Sequence, residues 1–283
     1  MSLSAAAPRP ALLAAAPAGL GSDLARGALA LFVLLFFVFL AAPIVVVVVI
    51  SFSSQSYVGF PLTGLSLRWY ARIWEYGPFI ESMITSAKLA LASAFCGALL
   101  AVPAALGLAR SDSGAAAALV TFLISPLSIP TVLLGFALLY YLSFLGFGVS
   151  FASLLISHTV IAIPYLLRTV LSGYRALGPT YEEAARILGA GPWRCFWRVT
   201  LPLIRPSIFA GALFAVLISF DNLPLSFFFG NASTNTLPVV MLSYLQNQFD
   251  PAIAAIGTVQ MGLALVLLIV VERIYGLKAL SAA

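Results

Sequence analysis

Six long apolar runs constrain this chain more than any other feature. Only 8% of its 283 residues are charged and 62% are hydrophobic, whereas an ordinary soluble domain carries roughly 25% charged residues. A helix needs about 20 apolar residues to cross a bilayer, and the runs are continuous rather than alternating, which argues against a membrane β-barrel. The sequence therefore predicts an all-α integral membrane protein with six transmembrane helices, over residues 27–51, 79–109, 115–145, 149–173, 203–228 and 252–275.

The first 26 residues differ in composition from the rest of the chain. They are rich in Ala, Pro and Gly and show no apolar periodicity, so we interpret residues 1–26 as a flexible tail and residues 27–283 as one membrane domain. The apolar run that begins at Gly27 is longer than the roughly 7 to 15 apolar residues of a signal peptide. We therefore expect it to remain as the first span.

The distribution of Lys and Arg predicts the orientation. Cytoplasmic loops of membrane proteins carry an excess of these residues. With both termini cytoplasmic, only Arg68 and Arg72 fall outside, and Lys88 falls in or near a span. The other basic residues then lie on or near the inside: Arg9, Arg26, Arg110, Arg168, Arg175, Arg186, Arg194, Arg198, Arg205, Arg273 and Lys278.

The sequence lacks the residue patterns that several functional classes require. Cys96 and Cys195 lie in unrelated settings, so we expect free thiols. His158, the only histidine, has no ligand-type neighbours at metal-binding spacing and is predicted to be a hydrogen-bonded helix residue. We find no catalytic constellation, no nucleic-acid motif and no phosphate-binding loop of the G-x-x-x-x-G-K-[ST] type.

The outer loop between the first two spans contains the stretch SLRWYARIW. Its apolar residues Leu67, Trp69, Tyr70, Ile73 and Trp74 are spaced so that they could line one side of a short helix. Aromatic residues prefer the membrane interface, so the helix could lie on the outer membrane surface. It could equally pack over the outer mouth of the bundle.

The chain concentrates charge in one segment, residues 174–202, which we call the charged hairpin. Thr180 and Glu183 have the spacing of a capping box, which predicts a short helix starting at Tyr181. Gly189 permits a turn, and Pro192 suits the first position of a second short helix. Because Trp193, Phe196 and Trp197 share one face of that helix at i, i+3, i+4 spacing, we expect a helix-turn-helix between two spans.

The hairpin resembles a known motif. Glu183-Ala184-Ala185, three residues, Gly189, nine residues and then Val199-Thr200-Leu201-Pro202 are similar to the EAA loop of permease subunits of binding-protein-dependent ABC importers. Val199 stands where that pattern usually has Ile. The stretches SFSSQSYVGFPLTGLSLRWYARI, SPLSIPTVLLG, SHTVIAIPYLLRTV and ISFDNLPLSFFF resemble the corresponding parts of polyamine (spermidine/putrescine) permeases.

This resemblance implies a function and a set of partners. It implies a type I importer permease of the bacterial inner membrane that moves a small hydrophilic solute by alternating access, without an ATPase site of its own. The implied partners are two ATP-binding subunits that hold ATP and magnesium, a second permease that is a homologous but different chain, and an external solute-binding protein. The resemblance assigns coupling to the ATPase to Glu182, Glu183, Ala184, Ala185, Gly189, Val199, Leu201 and Pro202.

A second set of residues is a candidate for the solute path. Asp221 is the only acidic residue well within a predicted span, and intramembrane ionisable groups are functional hypotheses by default. With Asn222 and Phe220 it could offer a carboxylate, an amide and a ring face to a cation. Lys88 could instead pair with Asp221, or favour an anionic or zwitterionic solute. We interpret Pro126, Pro130, Pro164 and Pro224 as static kinks.

Three alternatives remain open. The chain could be a permease for another small organic solute. An ion-driven secondary transporter could use Asp221 and Lys88 as a coupled pair, although such transporters have inverted repeats and a charge at the midplane, and we find neither. A non-transporting membrane protein could use the charged hairpin only for docking.

Overall fold

The computed structural model describes residues 20–231 and 234–275, and most of these residues are helical. Short 3-10 segments cover Ser125–Ser128 and Phe227–Phe229, and a π-helical turn covers Phe196–Thr200. The α-helices are α1 (Leu20–Ser51), α2 (Arg68–Glu75), α3 (Gly77–Ala109), α4 (Gly114–Ile124), α5 (Thr131–Phe144), α6 (Phe151–Leu177), α7 (Thr180–Ile187), α8 (Pro192–Cys195), α9 (Leu201–Phe220), α10 (Leu223–Ser226), α11 (Leu237–Asn247) and α12 (Ala252–Tyr275).

The chain divides into two units between Val47 and Val48, within α1. In the first unit, helix α1 begins at Leu20, so the part of the predicted tail from residue 20 to 26 is helical instead. Residues 1–19 of that tail lie outside the described residues, as do Arg9 and Lys278 of the charge count. The remaining helices belong to the second unit.

Five helices of the described residues are long and apolar enough to span a membrane, and the number is six if the bent pair Gly114–Ser128 and Thr131–Phe144 is counted as one span. Four predicted spans are confirmed, as Ala25–Ser51, Gly77–Ala109, Phe151–Leu177 and Ala252–Ile274. The third and fifth spans differ from the prediction.

The third apolar run is not one straight helix. It forms α4, a 3-10 turn and α5, with a bend of 106° between the two parts. Proline removes a backbone donor and forces the preceding residue into extended geometry. Accordingly, Ile129, which precedes Pro130, has φ −93° and ψ 130°. Pro130 therefore lies at a break in the helix, whereas the sequence predicted only a kink there.

The fifth span is displaced from its predicted position. The helical stretch long enough to cross the membrane is Pro192–Phe220 rather than 203–228. Arg194 and Arg198 are exposed, so these basic residues extend the helix beyond the apolar run without being buried. At the other end Asn222 caps α10 by accepting a hydrogen bond from the Leu225 amide at 3.1 Å, which starts a new helix.

Three helices form the centre of the second unit. α3, α6 and α9 pack against one another, and their shared core includes Ala101, Leu166 and Ile204. A Cβ atom on Gly211 of α9 would lie 3.0 Å from the Leu166 Cα atom of α6. Small residues let helix backbones approach closely in membranes, and Gly211 has this role here.

A buried polar network joins the same helices. The His158 ring lies between two hydroxyls, with Nδ1 2.8 Å from Ser219 Oγ and Nε2 3.1 Å from Ser226 Oγ. Ser93 of α3 donates to Ser219 Oγ at 3.1 Å. The prediction that His158 is a hydrogen-bonded helix residue is confirmed.

The outer loop contains the predicted short helix, as α2. Trp69 and Ile73 are buried, and the Trp69 indole donates to the Ser53 carbonyl at 2.8 Å. Leu67 and Trp74 are exposed, so the five apolar residues do not form one buried face. These contacts favour packing onto the bundle. Both cysteines are free thiols, as predicted.

Candidate functional site

Two glycines with positive φ shape the charged hairpin. Gly178, with φ +66°, ends α6, and Gly189, with φ +81°, ends α7. The Gly189 amide donates to the Arg186 carbonyl at 2.9 Å and the Ala190 amide to the Ala185 carbonyl at 3.0 Å. These bonds satisfy carbonyls that a helix end otherwise leaves open. The predicted turn at Gly189 and the predicted helix start at Pro192 are confirmed.

The predicted capping box is wrong. Helix α7 begins at Thr180, the capping position is Pro179, and no side chain caps the helix. The chain leaves α6 through the turn at Gly178 and reaches helical geometry at Pro179, which has φ −75°. Thr180 is therefore already inside the helix, and its hydroxyl is not placed to cap.

The centre of the charged hairpin is Glu182. One of its carboxylate oxygens accepts hydrogen bonds from the Thr200 hydroxyl at 2.6 Å, an Arg110 guanidinium nitrogen at 2.8 Å and the Tyr174 hydroxyl at 3.1 Å. Arg110 also donates to the Tyr174 hydroxyl at 2.8 Å. Arg110 follows α3, Tyr174 belongs to α6, and Thr200 precedes α9. Glu182 therefore ties α7 to all three central helices.

The surroundings of Glu182 favour its charged form. Burial alone would raise the pKa of the carboxyl, but the hydrogen bonds from Thr200, Arg110 and Tyr174 outweigh burial and lower it. The Tyr174 hydroxyl, and then Glu182, raise the pKa of Arg110 against the opposing effect of burial. Both partners therefore stay ionised around neutral pH. The second carboxylate oxygen lies 3.6 Å from an Arg186 nitrogen.

Glu183, the acidic residue that begins the EAA motif, points the other way. Its side chain is exposed and makes no hydrogen bond or ion pair with the described residues. Ala184 beside it is exposed and Ala185 is half-buried. At the end of α7, Ile187 and Leu188 are 85% and 88% exposed. A carboxylate and two large apolar side chains thus project together, as in a surface that binds another protein.

The second half of the charged hairpin continues directly into a span. α8 leads through the π-helical turn into α9 without a break, so residues from Pro192 to Phe220 form one long helix. Trp193, Phe196 and Trp197 contact one another, with ring centroids 5.3 to 6.2 Å apart. Val199, Leu201 and Pro202 are half-buried in this continuous stretch. The charged hairpin is therefore joined to α9 by continuous helical backbone.

The predicted solute-path residues are not assembled into one site. Asp221 is exposed at the end of α9 and accepts a hydrogen bond from the Gln260 amide at 3.1 Å, rather than pairing with Lys88. Asn222 is buried and its side-chain oxygen is used to cap α10. Phe220 packs against the core that contains Tyr244. Lys88 is exposed on α3. Asp221 is the one carboxylate among these four residues, and within the described part of the chain its hydrogen bond with Gln260 uses Oδ1 alone.

Three residues of the Glu182 network were not predicted from the sequence. Arg110 was counted only as a basic residue, Thr200 only as a spacer in the motif, and Tyr174 only as the first residue of the charged hairpin. The local hint in the sequence is that Glu182 and Glu183 are adjacent acidic residues, of which the EAA pattern uses only Glu183.

Comparison with known proteins identifies the family. Residues 97–277 match the family described as the binding-protein-dependent transport system inner membrane component. The chain belongs to this family. This permease family forms the membrane component of ABC importers, so the chain is an inner-membrane permease, and ATP hydrolysis resides in a separate partner subunit. Membership also implies a solute-binding partner.

Individual relatives of the permease differ in their solutes. The chain is 30% identical over 236 residues to the putrescine transport system permease protein PotI of Escherichia coli (strain K12), covering 81% of this chain and 84% of the relative. It is 33% identical over 214 residues to the molybdenum transport system permease protein ModB of Mycobacterium tuberculosis (strain ATCC 25618 / H37Rv), covering 69% and 80%.

A solved structure shows the same fold. The permease resembles a chain of the bacterial alginate ABC transporter in complex with an alginate pentasaccharide-bound periplasmic protein, with a TM-score of 0.68 and 19% identity. The match covers 89% of this chain and 94% of that chain. The type I importer permease fold expected from the sequence is confirmed.

Proposed function

We propose that this permease imports a small amine of the polyamine class, driven by ATP hydrolysis in partner subunits that dock on the charged hairpin. The observation that carries the proposal is the division of labour between neighbouring acidic residues. Glu183 projects outward with Ile187 and Leu188, whereas Glu182 is bonded to the three central helices. One face of α7 thus suits a partner, and the other face holds the membrane helices.

Coupling follows from these contacts. When the ATPase subunits close, they displace α7 through its exposed face. The Glu182 network passes that displacement to Arg110 at the end of α3 and to Tyr174 in α6. The continuous helix from Pro192 to Phe220 passes it to the far end of α9. The two routes together move all three central helices, which is what alternating access requires.

The proposed assembly is larger than this chain. We place two ATPase subunits on the cytoplasmic side, with ATP and magnesium bound by them, and a second, homologous permease chain beside this one. A periplasmic solute-binding protein delivers the solute from outside. The hairpin projects a single α7, so one permease engages one ATPase subunit, and two permeases are needed to engage two.

The amine is supported by two observations. The similarity to PotI covers more of this chain than the similarity to ModB. In addition, the carboxylate of Asp221 is exposed at the end of α9, where it can meet a cation before the solute enters the bundle. Among the originally predicted solute residues, Asp221 is the one we retain.

The test uses the assembled importer in proteoliposomes. ATP hydrolysis is measured with the solute-binding protein in the presence of putrescine, spermidine or molybdate. The proposal expects stimulation by an amine together with its uptake into the lumen. Stimulation by molybdate but by neither amine would overturn the amine and leave the importer in place. The absence of an ATPase from the complex purified in mild detergent would overturn the coupling role.

A further inference from the structure

The break in the third apolar run leaves backbone groups unpaired inside a span. The 3-10 turn ends at Ser128, and α5 starts at Thr131. No described residue donates a hydrogen bond to the carbonyl oxygens of Leu127, Ser128 and Ile129. Pro130 has no amide hydrogen to offer. Three consecutive backbone acceptors are therefore open.

The break lies near the middle of the membrane. α4 has 11 residues, so it rises about 17 Å before the break, against a hydrocarbon core of about 30 Å. The contacts agree with this depth. α4 shares a core with Leu166 and Val170 of α6, and α5 shares a core with Ile161 of the same helix. The break is thus level with the central part of α6.

The break is also exposed on the chain. Leu127 and Ile129 are 38% and 42% exposed, and Ser128 and Pro130 are exposed as well. Lipid supplies no hydrogen-bond donors, so irregular backbone at this depth occurs only where it is covered by protein or lines a water-filled cavity. An exposed break with three open acceptors therefore does not face lipid.

We infer that the carbonyl oxygens of Leu127, Ser128 and Ile129 line the solute path and accept hydrogen bonds from the ammonium groups of the imported amine. The inference rests on the proposed function and assigns it a contact site. Unwound backbone carbonyls at the midplane are suited to cations. The spans around the break, from residue 113 to 173, contain Arg168 as their only charged residue. Within these spans the ammonium groups therefore meet backbone dipoles rather than a carboxylate.

Ser128 is exposed, so the experiment places a cysteine at this position. In a background with Cys96→Ala and Cys195→Ala, Ser128→Cys is compared with Leu265→Cys, an exposed position on the unbroken helix α12. Both are treated with a water-soluble cationic methanethiosulfonate in the assembled importer. Because this reagent reacts in water, we expect Ser128→Cys to react at least about tenfold faster than Leu265→Cys. If Ser128→Cys does not assemble, Ile129→Cys takes its place.

Labelling in the presence of solute distinguishes contact with the solute from simple exposure to water. With the solute-binding protein present, the amine that stimulates ATP hydrolysis is expected to slow the labelling at least threefold, and molybdate is expected to have no effect. The N–H groups at the start of α5 lie at the same break, and N–H groups at a helix start bind anions. Protection by molybdate rather than by the amine would therefore overturn the ammonium contact. Labelling no faster than at Leu265→Cys, or no protection by the stimulating amine, would also overturn the inference. In each case amine-stimulated ATP hydrolysis, measured separately, reports on the proposed function.

Discussion

Replacing Glu182 with Ala removes the acceptor on which three donors converge. The Thr200 hydroxyl is buried, and a buried donor left without a partner costs about 1–3 kcal/mol. The Arg110 side chain is 48% exposed, so its ion pair contributes only about 0–1 kcal/mol. The attachment of α7 is thus weakened by about 1–4 kcal/mol, and a change of about 1.4 kcal/mol already shifts an equilibrium tenfold.

The consequence is loss of coupling rather than loss of docking. The exposed face with Glu183 and Leu188 is unchanged, so the ATPase subunits should still co-purify with Glu182→Ala. Their closure should no longer be passed fully to α3 and α6. The assay measures solute taken up per ATP hydrolysed in proteoliposomes with the solute-binding protein, and this ratio should fall at least several-fold. Glu81→Ala, at an exposed position of α3 outside the charged hairpin, is the control that leaves both the network and the docking face intact. An unchanged ratio in Glu182→Ala would show that the Glu182 network does not carry the coupling.

Three further predictions follow from the same geometry. The pKa of Glu182 is lowered in the folded protein, so its charge stabilises the fold above the ordinary Glu pKa of about 4.3, and this contribution is lost as the pH falls through the lowered pKa. Between pH 5 and pH 3 the melting temperature of Glu182→Gln in detergent should therefore fall less than that of the wild type. Equal falls in the two proteins would contradict the assignment. Gly189→Val places a branched side chain at φ +81°, which costs about 1–2 kcal/mol, so this variant should lower the yield of co-purified ATPase. Gly191→Val, at φ −66°, should leave the yield unchanged, and equal yields from the two variants would contradict the role of the Gly189 turn. Asp221→Asn keeps an oxygen for Gln260 but removes the charge, so amine uptake should fall while ATPase co-purification stays normal, and unchanged uptake at normal expression would remove Asp221 from the solute path.

The spans could be predicted from sequence because burial in lipid requires length and apolar composition, and both are visible in the residues. The turn at Gly189 and the helix start at Pro192 were equally predictable, since both residues act through their own backbone geometry. The break at Pro130 could not be predicted, because hydropathy carries no information on the direction of the backbone and many prolines in spans only bend a helix. A 106° bend depends on how α5 packs against α6 and α10.

The different roles of Glu182 and Glu183 were also out of reach of the sequence. Both residues lie in the first turn of a helix of eight residues, and either could have faced inward. The choice is made by Arg110, Tyr174 and Thr200, which lie 72, 8 and 18 residues from Glu182 along the chain. Such a network follows from how the central helices come together, and no local pattern announces it.

The most direct test of the central claim is photo-crosslinking from the tip of the charged hairpin in the native membrane. A benzophenone amino acid is placed at Leu188, which is 88% exposed, and in a matched sample at Leu65 of the outer loop, which is 79% exposed. If the ATPase docks on the charged hairpin, Leu188 crosslinks to the ATPase subunit and Leu65 does not. Failure of Leu188 to capture the ATPase, or equal capture from both positions, would contradict docking on the hairpin.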